Sequence, residues 1–192
     1  MGESGTPIPD GRDLSISLAR ANVYTLAVSL PLVGLMLLAY LELSPAALVP
    51  ANTLTLTLPG WLLFVALIVA GILAHEAIHG LAWSFFGRLP LRRIRFGFQA
   101  STLTPYAHAL DPLPARAYRL GAVLPAFLLG GLPFVVGTVL GSPSLALFGM
   151  IFVFAAGGDL LVLWLIRGVD ARALVQDHPS RAGCIVLPLP PG

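Results

Sequence analysis

Residues 60–86 read GWLLFVALIVAGILAHEAIHGLAWSFF. The stretch is long enough to cross a bilayer, whose hydrocarbon core takes about 20 apolar residues of helix. Its only titratable side chains are His75, Glu76 and His79. Working outward, three more runs have the same apolar character: about Ala21 to Leu41, about Leu120 to Leu140, and about Leu145 to Ile166, the last interrupted by Asp159. The chain is 57% hydrophobic and 10% charged, with a mean hydropathy of +0.88, where a soluble domain carries about a quarter charged residues. A core built from 192 residues cannot bury that much apolar surface, so lipid must cover the rest. The expected fold is an all-α integral membrane protein, a bundle of four transmembrane helices. The spans 21–41, 60–86, 120–140 and 145–166 form one domain over 21–166, between an N-terminal segment 1–20 and a tail 167–192. Pro31, Pro125 and Pro133 are expected to kink their helices, which neighbouring helices can tolerate.

The charges sort by side. All eleven basic residues are arginine. Arg12 and Arg20 precede the first run, six lie between the second and third (Arg88, Arg92, Arg93, Arg95, Arg116 and Arg119), and Arg167, Arg172 and Arg181 follow the fourth. The connections from Glu42 to Pro59 and from Gly141 to Ser144 carry none. Four spans therefore put every arginine on one side, the cytoplasmic one by the positive-inside rule, and three or five do not. Both termini are expected in the cytoplasm, with the chain multi-pass in the cell membrane. A net charge of +2 is too small to point to nucleic acid. Cys184 is alone, which rules out an intramolecular disulfide or a cysteine-based zinc cluster. The first twenty residues are polar, and a long apolar run follows, so a retained first span is expected rather than a cleaved signal peptide. Between the second and third spans, Leu91 to Ala100 alternates well enough for a short cytoplasmic strand or hairpin. Thr104-Pro105-Tyr106 and Asp111-Pro112-Leu113-Pro114 read as turns, and the Pro-rich end of the tail as extended.

Within the second span, Ala74-His75-Glu76-Ala77-Ile78-His79-Gly80 sets two histidines at i and i+4 on one helical face, close enough to hold a single Zn²⁺. The glutamate between them can take a proton from a water that such a metal activates. Ionisable groups in a membrane helix are costly, so three within five positions call for a partner or a function. The competing reading is a set of interhelical hydrogen bonds from neutral histidines. A catalytic zinc usually has three protein ligands, and Asp159 is the first candidate for the third. It follows the small residues Ala155-Ala156-Gly157-Gly158, which allow close helix approach. His79 precedes Arg88 by nine residues and Asp159 precedes Arg167 by eight. At 1.5 Å per residue both lie roughly 12–14 Å from the cytoplasmic boundary. His108 in the loop is the rival third ligand, with a solvated or substrate-contacting role as its alternative. His178, beside Asp177 and Pro179, reads as a turn residue.

These residues resemble a known family. The His75–His79 motif and Gly158-Asp159 two spans later look like site-2 type intramembrane metalloproteases. More closely, the chain resembles the prokaryotic membrane proteins described as zincin peptidases, from the second span into the tail, including Thr104-Pro105-Tyr106-Ala107-His108 and Asp177-His178-Pro179-Ser180. Leu160 follows Asp159, where site-2 proteases carry glycine, and 192 residues leave no room for a PDZ-like regulatory domain. The resemblance implies zinc-dependent hydrolysis of peptide bonds in or beside the membrane, with His75, His79 and Asp159 as ligands and Glu76 as base. The implied partners are a peptide or membrane-protein substrate and the lipid bilayer. Two other classes compete: a non-catalytic metal-binding scaffold, which has no need of Glu76, and a metal transporter, whose spans should carry polar residues at several depths.

Overall fold

The computed structural model describes residues 11–44, 57–99 and 104–188. Outside them lie residues 1–10 of the N-terminal segment, 45–56 of the connection between the first two spans, Ala100 at the end of the alternating stretch with residues 101–103, and 189–192 of the Pro-rich tail.

Helix α1 (Leu18–Leu43) is capped by the Ser17 hydroxyl, which accepts the Arg20 N–H, and runs through Pro31 as one helix. Helix α2 (Leu58–Gly87) is started by Thr57, whose hydroxyl accepts the Gly60 N–H, with Pro59 in its first turn where no donor is needed. The third apolar run is α3 (Ala115–Pro125), a π-helical turn (Ala126–Gly131) and α4 (Leu132–Val139). The Leu132 N–H reaches back five residues to the Phe127 carbonyl, where Pro125 and Pro133 interrupt the regular ladder. The fourth run is α5 (Pro143–Ala155) and α6 (Gly157–Leu165), bent by 42° at Ala156. Gly157 and Gly158 follow the break, and glycine is a poor helix former. Three helices are long and apolar enough to cross a membrane, or four if the bent pair is one span. In α1 and α2 only 11% of the most apolar window is buried in the protein, so lipid is the partner of these surfaces and the chain is a multi-pass membrane protein.

The expectation of an all-α protein is corrected by two small antiparallel sheets. Strands β2 (Ile94–Gln99) and β3 (Thr104–Ala109) form a hairpin. Strands β1 (Arg12–Ile16), β4 (Leu113–Pro114), β5 (Leu174–Asp177) and β6 (Ala182–Val186) form a sheet in the order β1-β6-β5-β4. The short strand expected within Leu91–Ala100 is present as β2, and the hairpin is completed by β3, which replaces the turn expected at Thr104–Tyr106. Pro105 is tolerated in it by register. The Leu110 N–H bonds the Arg93 carbonyl, so the bonded pairs continue through Arg95–His108 and Gly97–Tyr106, and Pro105 falls at an alternate position that owes β2 no N–H. Where Asp111–Pro114 was expected as turns, Leu113 and Pro114 pair with Val175 and Leu174. A buried cluster of Trp83, Leu89, Leu113, Tyr118, Ile166 and Val175 welds this sheet to the ends of α2, α3 and α6.

Candidate metal centre

His75 and His79 lie one helical turn apart on α2, and both are buried. Asp159 stands in the first turn of α6, where a carboxylate is favoured by the helix dipole. Its two oxygens face the two histidines: Oδ2 is 3.1 Å from His75 Nε2 and Oδ1 is 3.4 Å from His79 Nε2. The small residues before it serve close approach as read from the sequence. A Cβ on Gly157 would overlap the Ser29 hydroxyl of α1, which itself donates to the Phe154 carbonyl. Glu76 completes a group with His75 and His79 whose ligand atoms all lie within 4.8 Å of one another, and the backbone N–H of Ala107 on β3 approaches its carboxylate.

The rings are fixed from behind. His79 Nδ1 is 3.0 Å from the Gly121 carbonyl on α3. The indole of Trp83 stacks between His79, 5.4 Å away, and Tyr118, 5.6 Å away, and its N–H points to the Tyr118 carbonyl. Gly121 must be glycine here because a Cβ would collide with that indole.

The hydrogen bonding tests whether these residues fit a divalent cation. A carbonyl only accepts, so His79 Nδ1 carries a proton and, in the neutral ring, Nε2 keeps its lone pair. That lone pair faces a carboxylate oxygen. His75 Nδ1 is buried with no partner. With both rings neutral, His75 Nε2 can donate to the carboxylate but His79 Nε2 cannot, and a cation among the three satisfies both nitrogens and both oxygens. The histidine–carbonyl bond behind is the support that metal-binding histidines ordinarily have. Zn²⁺ suits two imidazoles and one carboxylate, a set typical of its catalytic sites.

A cavity of about 340 Å³ opens over this group. Its other lining residues include Tyr106 and His108 of β3, Tyr118 of α3, and Asp177, His178 and Arg181 around the β5–β6 turn. His108, the rival ligand, is turned to a different carboxylate: its Nδ1 lies 3.4 Å from Asp177 Oδ2. Asp177 also accepts the Ala109 N–H at 2.9 Å and the Tyr118 hydroxyl. Burial pushes the Asp177 carboxyl above its ordinary range, opposed by the Tyr118 bond and the nearby His108. His178 Nδ1 accepts the N–H groups of Ser180 and Arg181, which is a turn role. Sequence reasoning did not single out Trp83, Tyr118 or Gly121, which carry no motif. Asp177 entered only with a resemblance.

An HExxH helix in a membrane-spanning bundle, its two histidines facing a carboxylate from a second helix, places the protein among integral membrane proteins with a zincin-type metal motif. The model of the family described as "Putative zincin peptidase" matches residues 67–174, more than half of the chain, and the chain belongs to that family. No curated protein and no solved structure matches it. The matched region holds His75, Glu76, His79, His108 and Asp159 and ends just short of Asp177.

Proposed function

We propose that the chain is a membrane-embedded zinc metallopeptidase in which His75, His79 and Asp159 hold the metal and Glu76 is the general base. The observation that carries this reading is the convergence of both HExxH histidines on the carboxylate of Asp159, with Glu76 in the same cavity. Bound there, zinc supplies Lewis acidity, polarising a peptide carbonyl and lowering the pKa of water to about 7. Glu76 takes the proton of the attacking water and passes it to the leaving amine.

The four-span count and the cytoplasmic orientation belong to this reading, and the larger sheet supports both. It hydrogen-bonds a strand before α1, a strand between α2 and α3, and two strands after α6. Backbone cannot pair across a bilayer, so these segments share one side and an even number of crossings separates them. That makes the bent α5–α6 pair a single span. The arginines collect on the same side, which is cytoplasmic by the positive-inside rule. Substrate is a peptide or a locally unwound membrane segment. The outer edge of β2 pairs with no strand among the described residues, and it suits an extended peptide by strand addition.

Purified protein in dodecyl maltoside is expected to hold one zinc per chain by elemental mass spectrometry and to lose it in His75→Ala and Asp159→Ala. It is expected to cleave fluorescein-labelled casein only while Glu76 is intact. A folded wild type without metal, or cleavage that survives Glu76→Gln, refutes the proposal. Zinc without cleavage leaves the scaffold class standing in its place.

A further inference from the structure

Beside the metal cavity lies a groove of about 590 Å³ that carries Arg95 and Arg181 in its walls. We propose that this groove is a substrate subsite for a carboxylate, taking an aspartate or glutamate of the peptide a few residues from the scissile bond, with Arg95 as the residue that reads it; this rests on the metallopeptidase reading above.

The place of the groove is the first argument. It runs between the start of α1 at Leu18, the hairpin at Arg95 and Phe98, and the β5–β6 turn. Tyr106, His108, His178 and Arg181 line both the groove and the cavity that holds His75, Glu76, His79 and Asp159. The two spaces adjoin along these four residues, so a peptide lying across the metal centre reaches the groove within a short length of chain.

The second argument is the chemistry of the walls. His178 Nδ1 accepts the N–H groups of Ser180 and Arg181 at 3.1 and 3.0 Å. Its lone pair is used there, so Nε2 carries the proton even in the neutral ring and can only donate. The guanidiniums of Arg95 and Arg181 donate likewise. Among the described residues no acidic side chain lines the groove. Donors and positive charge without a carboxylate of their own match an anion, and the planar fork of a guanidinium matches a carboxylate.

The third argument selects Arg95. Arg181 is partly committed, since its Nη2 donates to the Ser15 carbonyl at 3.3 Å and its Nη1 lies 3.7 Å from Asp13 Oδ2. Arg93, two residues before Arg95, is paired with Asp111. Arg95 takes part in no ion pair among the described residues. It stands opposite His108 in the β2–β3 register, as Gly97 stands opposite Tyr106. Residues opposite one another share a face of the ribbon, so Arg95 is on the hairpin face whose other side chains reach the metal cavity. An exposed ion pair contributes up to about 5-fold, and a like-charge contact costs a similar factor. An acidic residue in the groove is therefore favoured over a basic one on the order of 10-fold.

The test is a cleavage-site survey that presupposes no substrate. Soluble bacterial proteins digested with chymotrypsin give a peptide library in which acidic and basic residues both remain internal. Zinc-loaded full-length protein in dodecyl maltoside is added, the new termini are sequenced by mass spectrometry, and zinc per chain is measured on the same samples. Wild type is expected to cut with Asp or Glu enriched over Lys or Arg on the order of 10-fold at one fixed position near the cut. Arg95→Glu should keep its zinc and reverse the preference at that position, a gain of cleavage that a damaged fold cannot produce. Arg95→Gln should level the two classes, and it decides the matter if Arg95→Glu does not hold zinc. Arg92→Glu makes the same change of charge outside the groove and should leave the wild-type order. Cleavage without charge preference at any position overturns the inference and leaves the peptidase reading intact. So does a preference that Arg95→Glu and Arg95→Gln do not alter, and so does an equal reversal in Arg92→Glu, which marks the overall field of the protein. A preference that vanishes when dioleoyl phosphatidylglycerol is added to the micelles gives the groove to a lipid phosphate and overturns the peptide assignment. A wild type that lacks zinc, or holds zinc and cuts nothing in the library, overturns the peptidase reading and this inference with it.

Discussion

Replacing Asp159 by asparagine separates the hydrogen bonding of the metal centre from its metal. The proton on His79 Nδ1 is committed to the Gly121 carbonyl, so the Nε2 lone pair of the neutral ring faces Asp159 Oδ1 at 3.4 Å, acceptor against acceptor. On the other side, His75 Nε2 can donate to Oδ2 at 3.1 Å. Asparagine keeps the second contact through its carbonyl and turns the first into a hydrogen bond by offering an amide N–H. That change is worth about 0.5–1.5 kcal/mol for the bond, and removal of a partly compensated buried charge adds to it. The metal-free variant should therefore be more stable than metal-free wild type by about 1–3 kcal/mol. At roughly 2–4 °C per kcal/mol for a chain of this size, Tm rises by about 2–12 °C.

With zinc the sign reverses. Wild type at free metal about 1,000 times Kd gains about 4 kcal/mol by mass action, and the variant, which has lost a charged ligand, should gain almost none. Thermal unfolding in detergent with EDTA and then with saturating zinc measures both effects. Tryptophan fluorescence is a suitable signal because Trp83 stacks on His79. If the metal-free variant instead loses 3–5 kcal/mol, the cost of breaking a buried ion pair, then Asp159 holds a protonated His79 and the lone-pair argument is wrong.

Two further outcomes follow from the supporting residues. Gly121→Ala puts a methyl group into the Trp83 indole, so α3 must move off α2 and carry the Gly121 carbonyl away from His79. Zinc affinity, read by competition with a chelating dye, should fall about 10–100-fold; an unchanged value means the carbonyl does not orient the ring. Cys184 is buried in β6, and burial pushes its thiol up from 9.0 to about 12. Below pH 9 the thiol is neutral folded or unfolded. As pH climbs from 9 towards 12 the unfolded chain ionises first, so stability held below that window is lost across it. Iodoacetamide at pH 8.5 should leave the native protein unlabelled and modify it on denaturation, and labelling of native protein at the rate of a free thiol contradicts the buried placement.

The parts legible in the sequence are those with a local signal. The apolar run about Ala21 to Leu41 became α1 (Leu18–Leu43), and that from Gly60 to Phe86 became α2 (Leu58–Gly87), because the length of an apolar run is read without knowing its neighbours. The spacing of His75, Glu76 and His79 is local in the same way. Asp159 could be set at their level by helix rise from the arginine boundaries, and in the structure its carboxylate faces both rings. The larger sheet could not be read. Arg12 pairs with Val186 and Leu113 with Val175, so β1 and β4 find their partners across two or more spans, and only β5 and β6 pair locally. The two residues of β4 show no alternation to detect. The bend at Ala156 and the π-turn after Pro125 were half visible, as glycine pairs and prolines whose effect depends on what packs beside them.

The unread strands also set how the cavity is completed. His75, His79 and Asp159 sit on helices α2 and α6, whose position is settled once the apolar spans pack together. The residues facing them across the cavity come from the hairpin and the β5–β6 turn, and these close only when the tail returns to pair with β1 and β4. Asp177 links the two halves. Its donors come from Ala109 and Tyr118, and a buried carboxylate deprived of them is costly. Docking of the tail and orientation of His108 are therefore a single event, separate from assembly of the proposed metal ligands. A chain whose tail has not docked can still present His75, His79 and Asp159 to a metal, while the wall that would hold a substrate against it is missing.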